Sequence, residues 1–277
     1  MNLFQSKYKP PAWLLAFSLS ALVVGCGSGS DSATVDPVVD AVGAACTGGA
    51  DCVPLGTAGN YVILAMSGVT TTGTTAITGN VGSASTASNT TGFSEALDAS
   101  GTFATSAQVT GRMYAFDYTE PTPTELTTAT ATDATAAFND VDNNKTVGVG
   151  NLDLGAAGNI TGLDLAPGVY EWSAGGITVD AAGVTLTGGP TDVWVFKVPT
   201  SITMNPGATV TLAGGALPQN VFWRSGGVVA LDTTANLKGI VLSSSGITLE
   251  DGASVDGRLI ASTAVTLIGS TVTRPAP

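Results

Sequence analysis

Short alternations of apolar and polar residues recur through the C-terminal third of the chain and predict stacked β-strands. Three segments that begin at Phe222, Val241 and Leu259 start 19 and 18 residues apart. Alternate side chains of a strand point to opposite faces, and a repeat of this length with glycine and aspartate corners is typical of a β-solenoid. One coil cannot bury its own apolar side, so stacking of the coils has to create the core.

The alternation predicts three strands per coil, and therefore a mostly β fold: a single β-solenoid of triangular cross-section. In the third strand, Trp194 and Phe222 are expected to point inward, whereas Val195 and Trp223 point outward. This strand is thus apolar on both sides, and its outer side needs a cover. The inward pairs predicted for the first strands are Ile177/Val179, Ile202/Met204, Val229/Leu231, Ile247/Leu249 and Val265/Leu267.

The expected cover is one long α-helix packed alongside, at about residues 123–142. This alanine-rich segment begins with proline and threonine, and it places Ala131, Ala134, Phe138 and Val141 along one stripe at helical spacing. The third face would then be sealed, and the other two faces would remain open to solvent.

The outward residues of the first strands form columns of small, uncharged side chains. Same-face residues lie about 6.7 Å apart along a strand and about 4.7 Å apart between coils, so the columns form a flat, regular lattice of hydroxyl and methyl groups. Such a lattice can order water as in ice. A plainer interpretation is that threonine is simply a good strand former. The candidate residues are Thr178, Ser201, Thr203, Ala230, Thr248, Ala264 and Thr266, together with Thr75, Ala76 and Thr78, whose segment has the same pattern as Thr263–Thr266.

Composition and charge narrow the function classes. The 277 residues include 36 glycines, 11% charged residues and no histidine, and the formal net charge is −12. Nucleic acid is not an expected partner, because binding it requires clustered Lys and Arg. The missing histidine removes the commonest general base and metal ligand, so no cofactor and no metal are expected.

The first residues resemble a bacterial lipoprotein leader. Lys7 and Lys9 precede a short apolar core, and Val23-Val24-Gly25-Cys26 resembles a lipobox. We expect a signal peptide at 1–25, a lipid anchor on Cys26 and a flexible tether at 26–52. Gly27 and Ser28 follow the cysteine, and because no acidic residue stands at position 27, lipoprotein sorting rules favour the outer membrane as the location. An ordinary signal peptide and a secreted protein remain the alternative.

Cys46 and Cys52 form an even pair once Cys26 is lipidated. In an oxidising exterior they are predicted to form a disulfide, since two thiols without histidine are too few for a metal site. The segment Asp140–Asn144 resembles the start of a calcium loop, but Lys145 stands where that loop needs glycine.

Enzymatic activity is not expected, although parallel solenoids include polysaccharide lyases and hydrolases. Such enzymes need grouped carboxylates, and residues such as Asp164, Asp192 and Asp232 fall in different coils. The alternative function is a structural or carbohydrate-binding cell-surface adhesin. A sugar groove would call for exposed aromatic residues, and both Trp194 and Trp223 are assigned to covered positions.

Residues 53–277 resemble the microbial ice-binding (antifreeze) protein family, whose members fold as a discontinuous β-solenoid with a flanking helix. The resemblance implies a monomer that adsorbs to ice through a flat face with Thr-Ala/Gly-x-Thr/Asn motifs, and a capping segment at about 86–118. The motif is complete at Thr75–Thr78 and Thr263–Thr266 and is broken at Val228/Ala230, so moderate activity is expected. The matching stretches are 55–65, 72–82, 98–103, 165–172, 192–196, 212–223 and 257–267.

Overall fold

The computed structural model describes Cys46 and residues 51–275, which belong to one compact unit, Asp36–Pro277. One helical segment runs through α1 (Thr122–Thr127), a π-helical stretch (Thr128–Ala134) and α2 (Thr135–Asn144), and short 3-10 turns lie at Gly56–Asn60, Ala87–Asn89 and Pro218–Asn220. The strands are β1 (Tyr61–Ala65), β2 (Gly68–Thr72), β3 (Ala76–Thr78), β4 (Asn80–Ser83), β5 (Thr90–Thr91), β6 (Ala96–Leu97), β7 (Ala104–Ser106), β8 (Val109–Ala115), β9 (Asp164–Leu165), β10 (Gly168–Glu171), β11 (Ile177–Val179), β12 (Val184–Thr187), β13 (Trp194–Val198), β14 (Ile202–Met204), β15 (Val210–Ala213), β16 (Val221–Ser225), β17 (Val229–Leu231), β18 (Asn236–Ser243), β19 (Ile247–Leu249), β20 (Ser254–Ala261), β21 (Ala264–Ile268) and β22 (Thr271–Thr273).

Seven parallel strands form one continuous sheet in the order β11-β14-β17-β19-β21-β2-β5. The first five follow the chain, whereas β2 and β5 come from the N-terminal part and add to the far side of β21. The fold is therefore discontinuous: the N-terminal strands stack on the C-terminal ones. Side chains alternate strictly here, and the middle residue of each three-residue strand points outward.

The remaining long strands bend and so take part in two sides of the stack. β20 pairs with β22 through its first half and with β1 through its second half. The bend lies at Gly257, where an added Cβ would meet the carbonyl oxygen of Gly239 far inside contact distance, so only glycine fits. Six parallel strands, β20, β1, β4, β8, β3 and β22, close into a barrel with further strands stacked on it.

The prediction of a mostly β chain with one helix is confirmed by this architecture. The pairing shows a closed parallel barrel with additional strands rather than a clear triangle, so the triangular solenoid remains an interpretation. A three-stranded sheet of β9, β12 and β15 completes the set. In the segment expected to form a cap, β6, β7 and the start of β8 pair antiparallel, and Phe93 is buried against the end of the core.

Two apolar clusters lie on either side of the sheet that contains β13 and β16. The main core fills the space between the sheets and includes Trp194, Phe196 and Trp223. The second cluster lies between this sheet and the helix and includes Phe222 and Val195. We call them the main core and the helix-side cluster.

The prediction that Phe222 points inward and Trp223 toward the helix is wrong. Trp194 pairs with Val221, not with Phe222, which shifts the expected register by one residue. A shift of one residue exchanges the two faces of a strand. Trp223 therefore lies in the main core with its ring centroid 4.0 Å from that of Phe196, and its indole nitrogen donates to the carbonyl of Lys238 at 2.9 Å.

The long helix, residues 122–144, covers the outer apolar side of β13 and β16. Of the predicted stripe, Ala134, Phe138 and Val141 are buried in the helix-side cluster, as is Leu126. The placement of Ala131 in that stripe is wrong, because Ala131 lies in the π-helical stretch and is exposed. Several of its threonines donate to the carbonyl four residues earlier, as Thr130 does to Leu126 at 2.7 Å, and such side-chain bonds accompany the π-helical stretch. Among the described residues, no helix is long and apolar enough to cross a membrane.

Candidate functional site

A column of small polar side chains runs along the outer surface of the seven-stranded sheet. The strand register places Thr178, Thr203, Ala230, Thr248 and Thr266 directly beside one another. Thr70 and Thr91 extend this column at one end, and Asn159, bridged to Thr178, extends it at the other. We call the eight residues the central column; in spatial order they are Asn159, Thr178, Thr203, Ala230, Thr248, Thr266, Thr70 and Thr91.

The central column is held rigidly because its inward neighbours are buried in the main core. Each column residue of the short strands stands between two inward neighbours that are nearly inaccessible, such as Ile202 and Met204 around Thr203, at 1% exposure each. Neighbouring parallel strands lie about 4.8 Å apart, so eight positions span about 34 Å. The hydroxyls are close enough to interact, since Thr91 donates to Thr70 at 3.3 Å.

A second column of smaller residues flanks the central column. It lies two residues before the central-column position in β11, β14, β17, β19, β21 and β2, and in that order it holds Gly176, Ser201, Val228, Gly246, Ala264 and Gly68. Ser201 and Ala264 thus lie on the same surface as the threonines. Val228 is 51% exposed and presents a bare apolar group there. We call the two columns together the threonine face.

The prediction that Thr75, Ala76 and Thr78 belong to this face is wrong. Their strand, β3, pairs with β22 on a different side of the stack. Thr75 is buried and accepts a hydrogen bond from Thr71 at 2.6 Å, whereas Ala76 and Thr78 are exposed beside Thr271 and Thr273.

Three residues of the central column were missed in the sequence, namely Thr70, Thr91 and Asn159. Thr70 lies in a segment, Gly68–Thr72, with the same small-x-Thr pattern as Gly246-Ile-Thr248, and this was the signal that could have found it. Thr91 and Asn159 lie in short, irregular elements whose position depends on their neighbours in space.

Acidic side chains border the threonine face on the side where the first strands end. Asp180, Asp232 and Glu250 directly follow the last, inward residues of β11, β17 and β19, respectively. The Asp180 carboxylate accepts from the Nδ2 atoms of Asn159 at 2.8 Å and Asn205 at 2.6 Å. These hydrogen bonds hold the pKa of Asp180 below its ordinary value of 3.8. Charge is thus confined to the border, and the columns themselves are uncharged.

The neighbouring surface is formed by β9, β12 and β15, the first halves of β18 and β20, and β22, and it is less uniform. Its outward positions include Thr185, Thr211 and Thr273, but Lys238 and Asp256 interrupt them and form an ion pair at 3.5 Å. Charged side chains bind their own hydration shells, so a continuous uncharged lattice exists on the threonine face and is broken on this second surface.

The two cysteines of the domain are paired as predicted from their number. Cys46 and Cys52 form a disulfide with their Cα atoms 5.5 Å apart. Cys26 and the segments expected to form the leader and most of the tether lie outside the described residues. Asp140, in the calcium-like segment, instead forms an ion pair with Lys145 at 2.9 Å and accepts from Asn144.

Comparisons with known proteins agree with one another. A family model described as Ice-binding-like matches residues 63–273. An ice-binding protein of Lentinula edodes is 42% identical over 187 residues, 67% of this chain and 63% of that relative's length. One from Flammulina populicola is 40% identical over 225 residues, 80% of this chain and 88% of the relative.

Solved structures give the same result. An ice-binding protein from Arctic yeast, described as having antifreeze activity, superposes with a TM-score of 0.77 at 36% identity, covering 83% of this chain and 98% of that one. A Shewanella frigidimarina ice-binding protein domain superposes with a TM-score of 0.72 at 28% identity, covering 81% of this chain and 98% of that one.

Proposed function

The chain belongs to the ice-binding-like protein family, and from this premise we propose that it adsorbs to ice through the threonine face. Adsorption would restrain ice growth and recrystallisation and produce thermal hysteresis, with no catalytic step and no cofactor. The observation that carries the proposal is the uncharged central column, which continues over eight rungs while its neighbours across the stack are interrupted by charge.

The physical reason lies in rigidity and chemistry together. A surface matches ice only if its groups keep fixed positions, and here the six inner column residues, from Thr178 to Thr70, are held by backbone pairing on both sides. Methyl groups favour ordered, cage-like water, whereas hydroxyls fix that water through hydrogen bonds. Alanine at position 230 and valine at 228 keep the apolar part without the hydroxyl, which supports moderate rather than extreme activity.

The test compares two tyrosine substitutions in one coil. Thr203→Tyr places a bulky ring in the central column, and Thr211→Tyr places the same ring on the second surface, eight residues further along the chain. Fluorescently labelled proteins are frozen onto a single-crystal ice hemisphere. We expect T203Y to lose ice coating and recrystallisation inhibition and T211Y to retain both. Equal behaviour of the two variants would refute the assignment of the face.

We also interpret the barrel and its flanking strands as one β-solenoid with three-sided coils. Successive sides are formed by one strand of the threonine face, one of the second surface and one of the helix-covered sheet. The bend of β18 and β20 at Gly239 and Gly257 supports this, because each long strand then supplies two sides of its coil. The distinct outward chemistry of each side supports it as well.

For the location, we propose an outer-membrane lipoprotein that is anchored at Cys26 and acts as a monomer. The lipobox-like sequence Val23–Cys26 carries this proposal. Metabolic labelling with an alkyne fatty acid tests it: the wild-type chain should incorporate the label and C26S should not. Absence of label from both would favour an ordinary secreted protein, and equal labelling of both would place the acyl group on a residue other than Cys26.

A further inference from the structure

A polar groove crosses the second surface where β18, β20 and β22 lie side by side. Its volume is about 480 Å³, which lies within the range of small-molecule sites in proteins, about 300–1,000 Å³. Strand pairing arranges its outward side chains in two rows. The polar lining includes Asn236, Ser254 and Thr271 in one row, Lys238 and Asp256 in the other, and Arg274 directly after β22. We call the groove with these six side chains the basic groove.

The basic groove carries a surplus positive charge in an acidic protein. Lys238 and Asp256 form an ion pair at 3.5 Å, so their charges cancel. Arg274 adds a further positive charge, and in the part of the chain that the structure describes no carboxylate lies within ion-pair distance of its side chain. The whole chain has 21 Asp and Glu residues against 9 Lys and Arg residues. A cation that stays unpaired among so many carboxylates attracts an anionic ligand.

A second arginine adds to the positive potential behind the basic groove. Arg258 is 2% exposed, and its Nε donates to the carbonyl of Gly59 at 3.0 Å. It forms no ion pair with a described residue. Burial, and then the nearby charge of Arg274, lower the pKa of Arg258 to about 10, so its guanidinium still carries a proton at neutral pH. A buried cation without a counter-ion is costly, and an anion held by Arg274 would offset part of that cost.

The remaining lining narrows the kind of anion. The Asp256 carboxylate accepts hydrogen bonds from hydroxyl groups, but it repels a densely charged anion such as a nucleic acid backbone. The Thr271 hydroxyl is exposed on the groove surface, and Asn236 donates from Nδ2 to the Ser254 hydroxyl at 2.6 Å. No aromatic side chain lines the groove, so a neutral sugar would find no ring to stack on. The lining therefore suits a ligand with several hydroxyl groups and one isolated negative charge.

We propose that the basic groove binds the acidic sugar units of a carboxylated polysaccharide, which gives this chain a second binding site apart from the threonine face. Arg274 holds the sugar carboxylate through charge-assisted hydrogen bonds, and Asp256 and Thr271 bond to the ring hydroxyls. No covalent bond forms or breaks. Binding is independent of ice, because the groove strands and the seven strands of the threonine face belong to different sheets.

Calorimetric titration of the full-length chain at room temperature tests this proposal. The probes are a hexamer of galacturonate and the same hexamer with its carboxylates methyl-esterified. The test variants are R274Q and T271V, which remove the unpaired cation and the groove hydroxyl. R112Q is the matched control: Arg112 also lacks an ion pair among the described residues, but its guanidinium lies over the Phe103 ring, 4.1 Å from the centroid, and outside the groove. Circular dichroism melts establish that each variant is folded.

We expect the esterified hexamer to bind about tenfold more weakly than the acidic hexamer, because it cannot form the charge-assisted hydrogen bonds to Arg274. R274Q should weaken binding of the acidic hexamer about fivefold and T271V about threefold, whereas R112Q should change it by less than about twofold.

Three results would overturn the proposal. Equal losses in R274Q and R112Q would mean that only the net charge matters and not the groove. Equal binding of the two hexamers, or of neither, would remove the carboxylate from recognition. Inorganic phosphate that displaces the acidic hexamer at equal concentration would identify a site for simple anions instead of a sugar site.

Discussion

The position of a blocking residue within the central column should determine how much ice adsorption is lost. In spatial order, Thr248 is the fifth of the eight positions and Thr91 is the last. T248Y therefore divides the column into unbroken runs of four and three, whereas T91Y leaves a run of seven. If contacts with ice add along the face and only the longest unbroken run lies against the crystal, T248Y keeps four of the eight contacts and T91Y keeps seven. T248Y should then lower the magnitude of the adsorption free energy by about half and T91Y by about one eighth.

This comparison is sharp because both substitutions introduce the same side chain at an outward strand position. Thr248 is half-buried, Thr91 is exposed, and neither points into the core. Outward substitutions of this kind change stability by about 0.5 kcal/mol or less, so the melting temperature should stay within about 2 °C of the wild type. Circular dichroism melts serve as the control for folding.

The assay is the equilibrium coating of an ice hemisphere at several protein concentrations, with the recrystallisation endpoint as a second measure. T248Y should need a much higher concentration than T91Y to reach the same coating, and T91Y should remain near the wild type. The reasoning would be refuted if T91Y were as damaging as T248Y, because the length of the unbroken column would then not be the quantity that matters. Full activity of T248Y would remove the face from the mechanism.

Two further predictions concern the support of the face. Trp223→Ala removes a side chain that is 1% exposed and stacked on Phe196, so it should lower the free energy of unfolding by about 3–5 kcal/mol and the melting temperature by about 6–20 °C; V228A at an exposed position is the control, and an equally small effect of W223A would contradict the inward placement. Asp180 has a lowered pKa because Asn159 and Asn205 donate to its carboxylate, so its contribution to stability is present above pH 3.8 and is lost as the pH falls below that value through the folded-state pKa. Melting temperatures between pH 6 and pH 2 should fall more steeply for the wild type than for D180N, and parallel curves would count against this assignment.

Local pattern was sufficient for much of the fold. Strict alternation in strands such as Ile202–Met204 determined which side chains are buried and which face water, because the two faces of a strand follow from the period of two alone. The predicted stripe likewise identified the helix and three residues of its buried side, Ala134, Phe138 and Val141, whereas Ala131 is exposed. The threonines at 178, 203, 248 and 266 were recognised correctly as one column for the same reason.

Neighbour relations between distant segments could be decided only by the tertiary structure. Gly68–Thr72 and Ala76–Thr78 both alternate and both carry threonine, so the pattern alone does not say which of them extends the column. The folded chain stacks β2 on β21 and turns the corner before β3, which brings Thr70 to Thr266 and buries Thr75. Trp223 shows the same limit, since a register shift of one residue exchanges inside and outside while leaving the local alternation unchanged. Alternation fixes the relative orientation of residues within a strand, whereas packing against the next coil sets the register and order of the strands.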